Sequence, residues 1–322
     1  IDALFQIQGA YALVILTNKK LIGVRDPFGI RPLVLGDLNG APVLASETCA
    51  LDIIGAKYIR DVENGEIIII TDKKVESIKP FPAVKERPCI FERIYFSRPD
   101  SIIDGRSVYS YRKNLGEELA NENNIDADVI VPVPDSGVPA ALGFSQKSKI
   151  PFELGIIRNH YVGRTFIEPT QNIRQFGVKL KHSVNVSYIK GKRIVLIDDS
   201  VVRGTTAKKI VKMIYDAGAK EVHLGVSCPP ITHPDFYGID TPSYSELIGS
   251  KKSVEEMSSI IGTKSLFFLS LEGTYRAMGC EKRDNSSPQF TDHCFTGEYP
   301  TQLVDMEQGN VSKQYSLLTE KN

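Results

Sequence analysis

The sequence predicts an α/β region with a parallel sheet and flanking helices over residues 86–284, preceded by a β-rich region over residues 1–85. Two observations predict the parallel sheet. Residues 194–197 form an unbroken apolar run closed by two acids, which is typical of a strand buried on both faces. After Thr206 the apolar residues recur at helical spacing until Gly218, so a helix follows the strand. The loop between them lies at the carboxyl end of a strand, where open α/β sheets bind their ligands.

The β-rich region contains short apolar runs separated by turn residues, as expected for an antiparallel sheet. The predicted strands cover residues 9–17, 21–25, 41–46 and 66–71, with turns at 18–20 and at Gly65. Residues 79–88 contain three prolines and mixed charges, which indicates a linker between the two regions.

Several further elements are expected in the α/β region. They are a helix over 111–123, a strand from 128 that ends in a small-residue turn before 139, a strand over 221–227, an apolar segment at 265–271 and a last helix over 272–279. Residues 285–322 are predicted to form a polar C-terminal tail, disordered beyond about residue 297 because the sequence there is polar and aperiodic.

The composition gives no bulk electrostatic reason to expect nucleic-acid or membrane partners, because Lys+Arg and Asp+Glu both total 39. No apolar run approaches the roughly eighteen residues of a membrane span. The chain has five cysteines and no C-x-x-C pair, which favours reduced thiols in a cytoplasm. Its first residue, Ile1, already lies inside a folded pattern, so we interpret the chain as a fragment whose N-terminus is missing.

The loop at residues 198–206 combines two chemistries. Arg203, Gly204, Thr205 and Thr206 open a helix with free backbone N–H groups and two hydroxyls, which favours a phosphate. Asp198 and Asp199 would repel phosphate, and carboxylates suit a ribose diol or Mg²⁺ instead. One loop that offers both predicts a sugar phosphate as its ligand. The alternative is that the acids merely end a strand and the small residues merely cap a helix.

Residues 158–182 have no clean period, several basic side chains and glycine and proline breakers. The default interpretation of such a run is a solvated basic loop. The functional alternative is a mobile cationic lid, which closes over an anionic ligand and excludes water.

The strand, acid pair, small-residue turn and helix at residues 194–206 resemble the phosphoribosyl pyrophosphate (PRPP) motif of type I phosphoribosyltransferases. Segments at residues 9–12, 25–33, 45–47, 94–100 and 161–167 resemble the amidophosphoribosyltransferase family. The resemblance implies an α/β type I phosphoribosyltransferase domain. It also implies that this domain follows the C-terminal part of an α+β N-terminal-nucleophile glutaminase domain.

By this resemblance, PRPP is bound by Asp198, Asp199, Ser200, Val201, Val202, Arg203, Gly204, Thr205 and Thr206, and by Asp135, Ser136 and Gly137 on the pyrophosphate side. The resemblance gives Mg²⁺ to Ser136, Asp198 and Asp199. It places the flexible loop at Arg158, Tyr161, Arg164, Ile167 and Lys181, and a cap over the acceptor side at residues 236–240 and 253–261.

The family makes 5-phosphoribosylamine, pyrophosphate and glutamate from PRPP, glutamine and water, as the first committed step of purine synthesis. Its glutaminase nucleophile is an N-terminal cysteine. No such cysteine is present, so we name no catalytic nucleophile and expect only the PRPP and ammonia half of the reaction. The resemblance also implies purine nucleotides as inhibitors and a homotetramer or dimer. The alternatives are a nucleobase phosphoribosyltransferase and a non-catalytic PRPP sensor.

One branch of this family binds a four-iron cluster through four cysteines. Cys89 and Cys294 match two of those positions, whereas Asp235 and Thr291 occupy the other two. Thiolates are the usual ligands of such clusters. We therefore predict that no iron–sulfur cluster is bound.

Overall fold

The computed structural model describes residues 1–159, 182–239, 241 and 243–303. The N-terminal region folds into two antiparallel sheets. In chain order its strands are β1 (Ala12–Leu16), β2 (Leu21–Arg25), β3 (Val34–Leu38), β4 (Ala41–Ala45), β5 (Lys57–Asp61), β6 (Ile67–Ile70) and β7 (Val75–Ile78). One sheet has the order β1-β2-β6-β7 and the other β4-β3-β5. Two short helices, α1 (Asp2–Phe5) and α2 (Thr48–Ile54), accompany them.

A buried turn after β2 organises the segment at residues 25–33. The carboxylate of Asp26 is fully buried and accepts hydrogen bonds from the backbone N–H groups of Phe28, Ile30 and Arg31. The Arg25 guanidinium donates to the carbonyls of Arg31, Val62 and Gly29. These bonds satisfy a turn that lacks regular secondary structure, so Arg25 and Asp26 are structural residues here.

The second region contains the parallel sheet that the sequence predicts. Its strands are β10 (Val129–Pro132), β13 (Arg193–Asp198), β14 (Glu221–Val226) and β15 (Ser265–Phe268), in the order β10-β13-β14-β15 with every pair parallel. Two antiparallel pairs lie outside this sheet, β8 (Ile102–Ile103) with β9 (Arg106–Ser107) and β11 (Ile156–Arg158) with β12 (His182–Val184).

Seven α-helices lie in the described part of the second region. They are α3 (Val108–Glu122), α4 (Val138–Ser148), α5 (Val186–Ile189), α6 (Thr205–Asp216), α7 (Val254–Ile261), α8 (Leu271–Ala277) and α9 (His293–Thr296). The central strand β13 is apolar along its length because residues 194–197 are all 0% exposed. Helix α6 buries Ala207, Ile210, Val211 and Ile214, four of the five residues predicted from their spacing. None of the helices in the described ranges has the length and apolar character that crossing a bilayer would need.

Three predicted elements differ from the structure. The strand expected over 9–17 is confined to β1, and the helix expected from residue 111 begins at Val108, where Ser107 ends the β8–β9 hairpin. Helix α8 is not the last helix, because α9 follows it. The described part of the predicted tail is not a solvated segment, since His293 and Cys294 are buried in the main core. The proposed domain boundaries near residues 85 and 285 remain predictions.

The N-terminal region and the α/β region are tied together at residues 92–102, which include a short π-helix (Glu92–Phe96). Arg31 Nη1 donates to Glu92 Oε1 at 2.7 Å. Glu47 Oε2 accepts from the backbone N–H of Arg98 and from Ser101 Oγ, both at 2.7 Å. These polar contacts therefore join the two regions, together with Ile30, which is buried in the main core.

Helices α3 and α4 cross at a glycine contact that fixes their separation. A Cβ on Gly116 would lie 1.8 Å from the carbonyl oxygen of Ala140, and a Cβ on Gly143 would lie 2.0 Å from that of Lys113. No side chain fits at either position without moving a helix backbone.

We predict that Gly116→Ala destabilises the protein by about 3 kcal/mol or more, because the added methyl forces α3 and α4 apart. Chemical denaturation of the ligand-free protein measures this. The control on the same helix is Asn121→Ala, at an exposed position, which should change the free energy of unfolding by less than about 0.5 kcal/mol. Equal stability of the two variants would contradict the glycine contact.

Candidate functional site

A cavity of about 910 Å³ opens at the carboxyl ends of β10 and β13. Its walls come from the loops after these two strands, from the segment at 91–99 and from residues between 231 and 241. The predicted site residues that line it are Asp135, Ser136, Arg158, Asp198, Asp199, Ser200, Val201, Val202, Arg203, Gly204, Thr205 and Thr206. The structure thus brings together two predicted loops that lie about 60 residues apart in the chain.

The acid pair is buried at the end of β13. Asp198 is 8% exposed and Asp199 is 5% exposed. The backbone N–H of Asp199 donates to Asp198 Oδ1 at 2.9 Å, and Ser200 Oγ donates to Asp199 Oδ2 at 2.6 Å. Burial raises the pKa of Asp198 well above its usual value, and the neighbouring charge of Asp199 raises it further. Ionisation of both carboxylates therefore destabilises the folded protein unless a cation or hydroxyl donors interact with them.

The turn after the acid pair forms the anion-binding end of a helix. Gly204 precedes α6 with φ +73°, a left-handed conformation that disfavours other residues. A Cβ there would also lie 3.1 Å from Ile248 Cδ1. Helix α6 has twelve residues, and the N–H groups of its first turn have no partner within the helix. This end of α6 lies on the cavity beside the acid pair.

Arg203, the charged side chain of this turn, forms an ion pair with the segment at residues 244–250. Arg203 Nη2 donates to Glu246 Oε2 at 2.7 Å, and the backbone N–H of Ile248 donates to the Val202 carbonyl at 2.9 Å. Residues 244–250, which contain two 3₁₀-helices (Tyr244–Glu246 and Ile248–Ser250), therefore hold the outer side of the turn.

The loop after β10 contributes Asp135 and Ser136 to the cavity, and Asp135 forms an ion pair with Arg158 at the end of β11. Gly137 does not line the cavity. A Cβ at Gly137 would lie 2.3 Å from the Ile197 carbonyl oxygen, so this glycine lets the loop pack against β13. Of the predicted lid, Arg158 is thus at the site, whereas Tyr161, Arg164, Ile167 and Lys181 lie outside the described residues.

Two arginines that line the cavity, Arg98 and Arg112, were not among the predicted site residues. Arg112 lies on α3 and is 5% exposed. One signal was available. Arg112 lies four residues after Val108 and three before Leu115, so the helical period already placed it on the buried face of α3. The aromatic side chains Tyr95 and Phe96 of the π-helix were also missed as cavity residues.

The four positions related to an iron–sulfur cluster lie near one another. Cys89 forms a β-bridge with Thr291, and Cys294 lines the cavity together with Asp235. Asp235 is already engaged, because its Oδ2 pairs with His293 Nε2 at 2.9 Å. Within the described ranges, no group of three or more His, Cys, Asp or Glu side chains is arranged to hold a metal ion. That no cluster binds remains a prediction.

Replacing Asp198 with asparagine is expected to raise the thermal unfolding midpoint of the ligand-free protein at neutral pH in EDTA. The folded-state pKa of Asp198 is raised, so its stabilising contribution is present when protonated and is lost as the pH rises through that pKa. Asparagine avoids this loss, and each kcal/mol regained raises the midpoint by about 2–4 °C.

Glu66→Gln supplies the control of opposite sign. Burial of Glu66 favours the neutral form, but Arg60, Ser77 and the Glu63 amide outweigh it and hold the pKa at about 2. Its stabilisation is present at neutral pH and is lost as the pH falls toward that value, so Glu66→Gln should lower the midpoint. A lower midpoint for Asp198→Asn would contradict the strain attributed to the acid pair.

Comparison with known proteins gives two domain matches. A model of the phosphoribosyl transferase domain matches residues 107–246, and a model of the glutamine amidotransferase domain matches residues 1–52. The first match contains both loops of the cavity and helix α3. The second covers strands β1 to β4 and the buried turn of the N-terminal region.

Three relatives illustrate the similarity. The amidophosphoribosyltransferase of Rhizobium etli is 58% identical over 99% of this chain, and that of Bacillus subtilis is 50% identical over 94% of it. A chloroplastic amidophosphoribosyltransferase of Glycine max is 50% identical over 95% of this chain. The chain spans 65%, 63% and 53% of the lengths of these proteins, respectively.

Solved structures agree with the sequence comparisons. The glutamine PRPP amidotransferase of Bacillus subtilis, complexed with ADP and GMP, superposes with a TM-score of 0.86 at 50% identity. This match covers 94% of the present chain and 66% of the solved one. The parallel sheet, the acid-pair loop and the relatives lead to one assignment: the chain belongs to the amidophosphoribosyltransferase family.

Proposed function

We propose that the chain performs the phosphoribosyl-transfer step of an amidophosphoribosyltransferase, the first step of purine synthesis. It would bind PRPP with Mg²⁺ and transfer the ribose 5-phosphate group to ammonia, which makes it a pentosyltransferase. The observation that supports this most directly is the acid pair beside the N-terminus of α6 on a single cavity. One end of this arrangement suits a diol or a cation, and the other suits a phosphate.

Each part of PRPP has a fitting part of the cavity. The 5′-phosphate would lie at residues 203–206, where the α6 N–H groups and two threonine hydroxyls are available. The ribose hydroxyls would donate to Asp198 and Asp199. The pyrophosphate would lie near residues 135–137, with Arg158 as the nearest described cation. Binding of the remote phosphate supplies energy that orients the bond to be broken.

The donors also fit Mg²⁺. Asp198, Asp199 and Ser136 offer hard oxygen ligands on one cavity, and the raised pKa of Asp198 indicates a site that favours added positive charge. When bound, Mg²⁺ would neutralise charge on the pyrophosphate leaving group.

The transfer itself requires positioning and electrostatics rather than a protein nucleophile. The bond between ribose C1 and the pyrophosphate oxygen breaks, the bond between C1 and the ammonia nitrogen forms, and the nitrogen releases a proton to solvent. Positive charge develops on the ribose ring during this step, and the carboxylates of Asp198 and Asp199 would stabilise it. The walls of the cavity would limit the access of water, which would otherwise hydrolyse the same bond.

Glutamine hydrolysis is not proposed for these 322 residues. Burial raises the pKa of the thiols of Cys89, Cys228, Cys280 and Cys294, which disfavours the reactive thiolate. Cys49 is also buried, in the first turn of α2. We therefore propose ammonia as the direct substrate, with glutamine as its source in the family reaction.

Further partners remain part of the proposal. The solved relative is complexed with ADP and GMP, and the same phosphate cradle could accept the 5′-phosphate of a purine nucleotide, so we expect competition with PRPP. We also expect a homo-oligomer and a cytoplasmic location.

The proposed reaction predicts pyrophosphate release from PRPP when Mg²⁺ and ammonium are both present. Changing Asp198 and Asp199 together to asparagine should reduce this rate at least a hundredfold, because the ribose and metal contacts are both lost. Coupled detection of pyrophosphate measures the rate.

The matched control is Asp216→Asn, at the far end of α6, where the side chain pairs with Lys212 among the described residues. Its rate should match that of the unaltered protein. Replacing ammonium with purine or pyrimidine bases tests the alternative nucleobase phosphoribosyltransferase. PRPP binding without turnover on any acceptor would instead support a sensor and contradict the enzyme.

The absence of an iron–sulfur cluster gives a separate prediction. Protein purified without oxygen should show no visible absorbance band and no stoichiometric iron, because two of the four matched positions lack a thiol. Iron in stoichiometric amount with such a band would contradict it.

A further inference from the structure

Arg112 is a buried cation on the wall of the sugar-phosphate cavity. It lies on the inner face of α3 and is 5% exposed. Its Nε donates to the Arg93 carbonyl at 3.2 Å, and its Nη2 donates to the Ser97 carbonyl at 2.5 Å. These two carbonyls flank the end of the π-helix that carries Tyr95 and Phe96. The guanidinium therefore stabilises the backbone of residues 93–97, which carries the two aromatic cavity residues Tyr95 and Phe96.

The other arginines that line this cavity are neutralised by carboxylates. Arg98 pairs with Asp100, Arg158 with Asp135, and Arg203 with Glu246. Among the described residues, the hydrogen-bond partners of Arg112 are only neutral carbonyls. No ion pair among these residues therefore cancels its positive charge, which acts electrostatically on the cavity.

A buried guanidinium without a carboxylate is expensive, so its retention needs a compensating interaction. Burial lowers the pKa of Arg112, and the charge of Asp199 is the largest influence that opposes this. Glu47, Tyr95 and Glu92 contribute in the same direction. Arginine nevertheless stays protonated in proteins, so the cavity contains a fixed positive charge.

We propose that Arg112 is a positioning residue for the bound sugar phosphate, which holds the cavity wall at residues 93–97 and supplies a fixed positive charge opposite the anionic ligand and the acid pair. This inference rests on the proposed function, because that function places a polyphosphate in the cavity. A preorganised charge in a water-poor site acts more strongly on a ligand than a mobile surface charge does.

The two parts of this role can be separated by substitution. Arg112→Lys keeps the charge but cannot reproduce the forked contact to both carbonyls, and Arg112→Gln loses the charge as well. Both variants should lower the thermal midpoint to a similar extent, since both loosen the wall. Only Arg112→Gln should lose the electrostatic contribution to binding.

The test is calorimetric titration of PRPP with Mg²⁺ into the full chain and its variants. We expect Arg112→Gln to weaken binding about tenfold or more, and Arg112→Lys to weaken it less than about threefold. The control is Arg276→Gln on α8, whose side chain pairs with Glu118 and Glu122 on the outer side of α3. This control should leave the affinity unchanged.

Equal losses of affinity in the lysine and glutamine variants, or no loss in either, would overturn the inference about Arg112. If Arg112→Gln does not fold, Arg112→Lys decides alone: a measurable loss below threefold supports the charge role, and no loss or a tenfold loss overturns it. If the unaltered chain does not bind PRPP, the proposed function fails and this inference fails with it. Binding that survives in Arg112→Gln overturns only the inference.

Discussion

Two neighbouring carboxylates at the end of a buried strand are the constraint on which the rest of this site depends. Asp198 and Asp199 cannot both ionise cheaply when they are buried and adjacent. The strand before them is rigid and apolar, so they cannot move away from each other or into solvent. The arrangement costs stability in the empty protein and becomes favourable when a cation and hydroxyl donors are present. That difference is the expected mark of a site built for a ligand.

Close backbone packing in the surrounding chain fixes the positions of the two carboxylates. Gly137 brings the loop after β10 against the Ile197 carbonyl, and Gly116 and Gly143 bring α3 against α4. Arg112 then joins α3 to the π-helix. Its first residue, Glu92, contacts Arg31, and the backbone of Arg98 just after it contacts Glu47 of the N-terminal region. The cavity wall is therefore connected to the two N-terminal sheets through a short series of polar contacts.

Much of the site could be predicted because its signals are local. The apolar run of β13, the period of α6 and the small residue Gly204 all lie within about 25 residues, and the structure confirms each of these elements. The π-helix at 92–96 and the burial of residues 290–294 could not be predicted in the same way. Asp235 meets His293 from 58 residues away, and Thr291 donates to the Arg87 carbonyl from 204 residues away. Such long-range contacts bury residues whose local sequence is polar, so their burial does not follow from the local pattern.

The central claim is that the acid pair and the start of α6 bind opposite ends of one activated pentose. A crystal structure of the chain with Mg²⁺ and PRPP tests this most directly. The account predicts that the 5′-phosphate oxygens lie about 3 Å from the backbone nitrogens of residues 204–206, and that the ribose hydroxyls lie at a similar distance from Asp198 and Asp199. A ligand whose phosphate lies elsewhere, or whose sugar leaves both carboxylates without a contact, would contradict it.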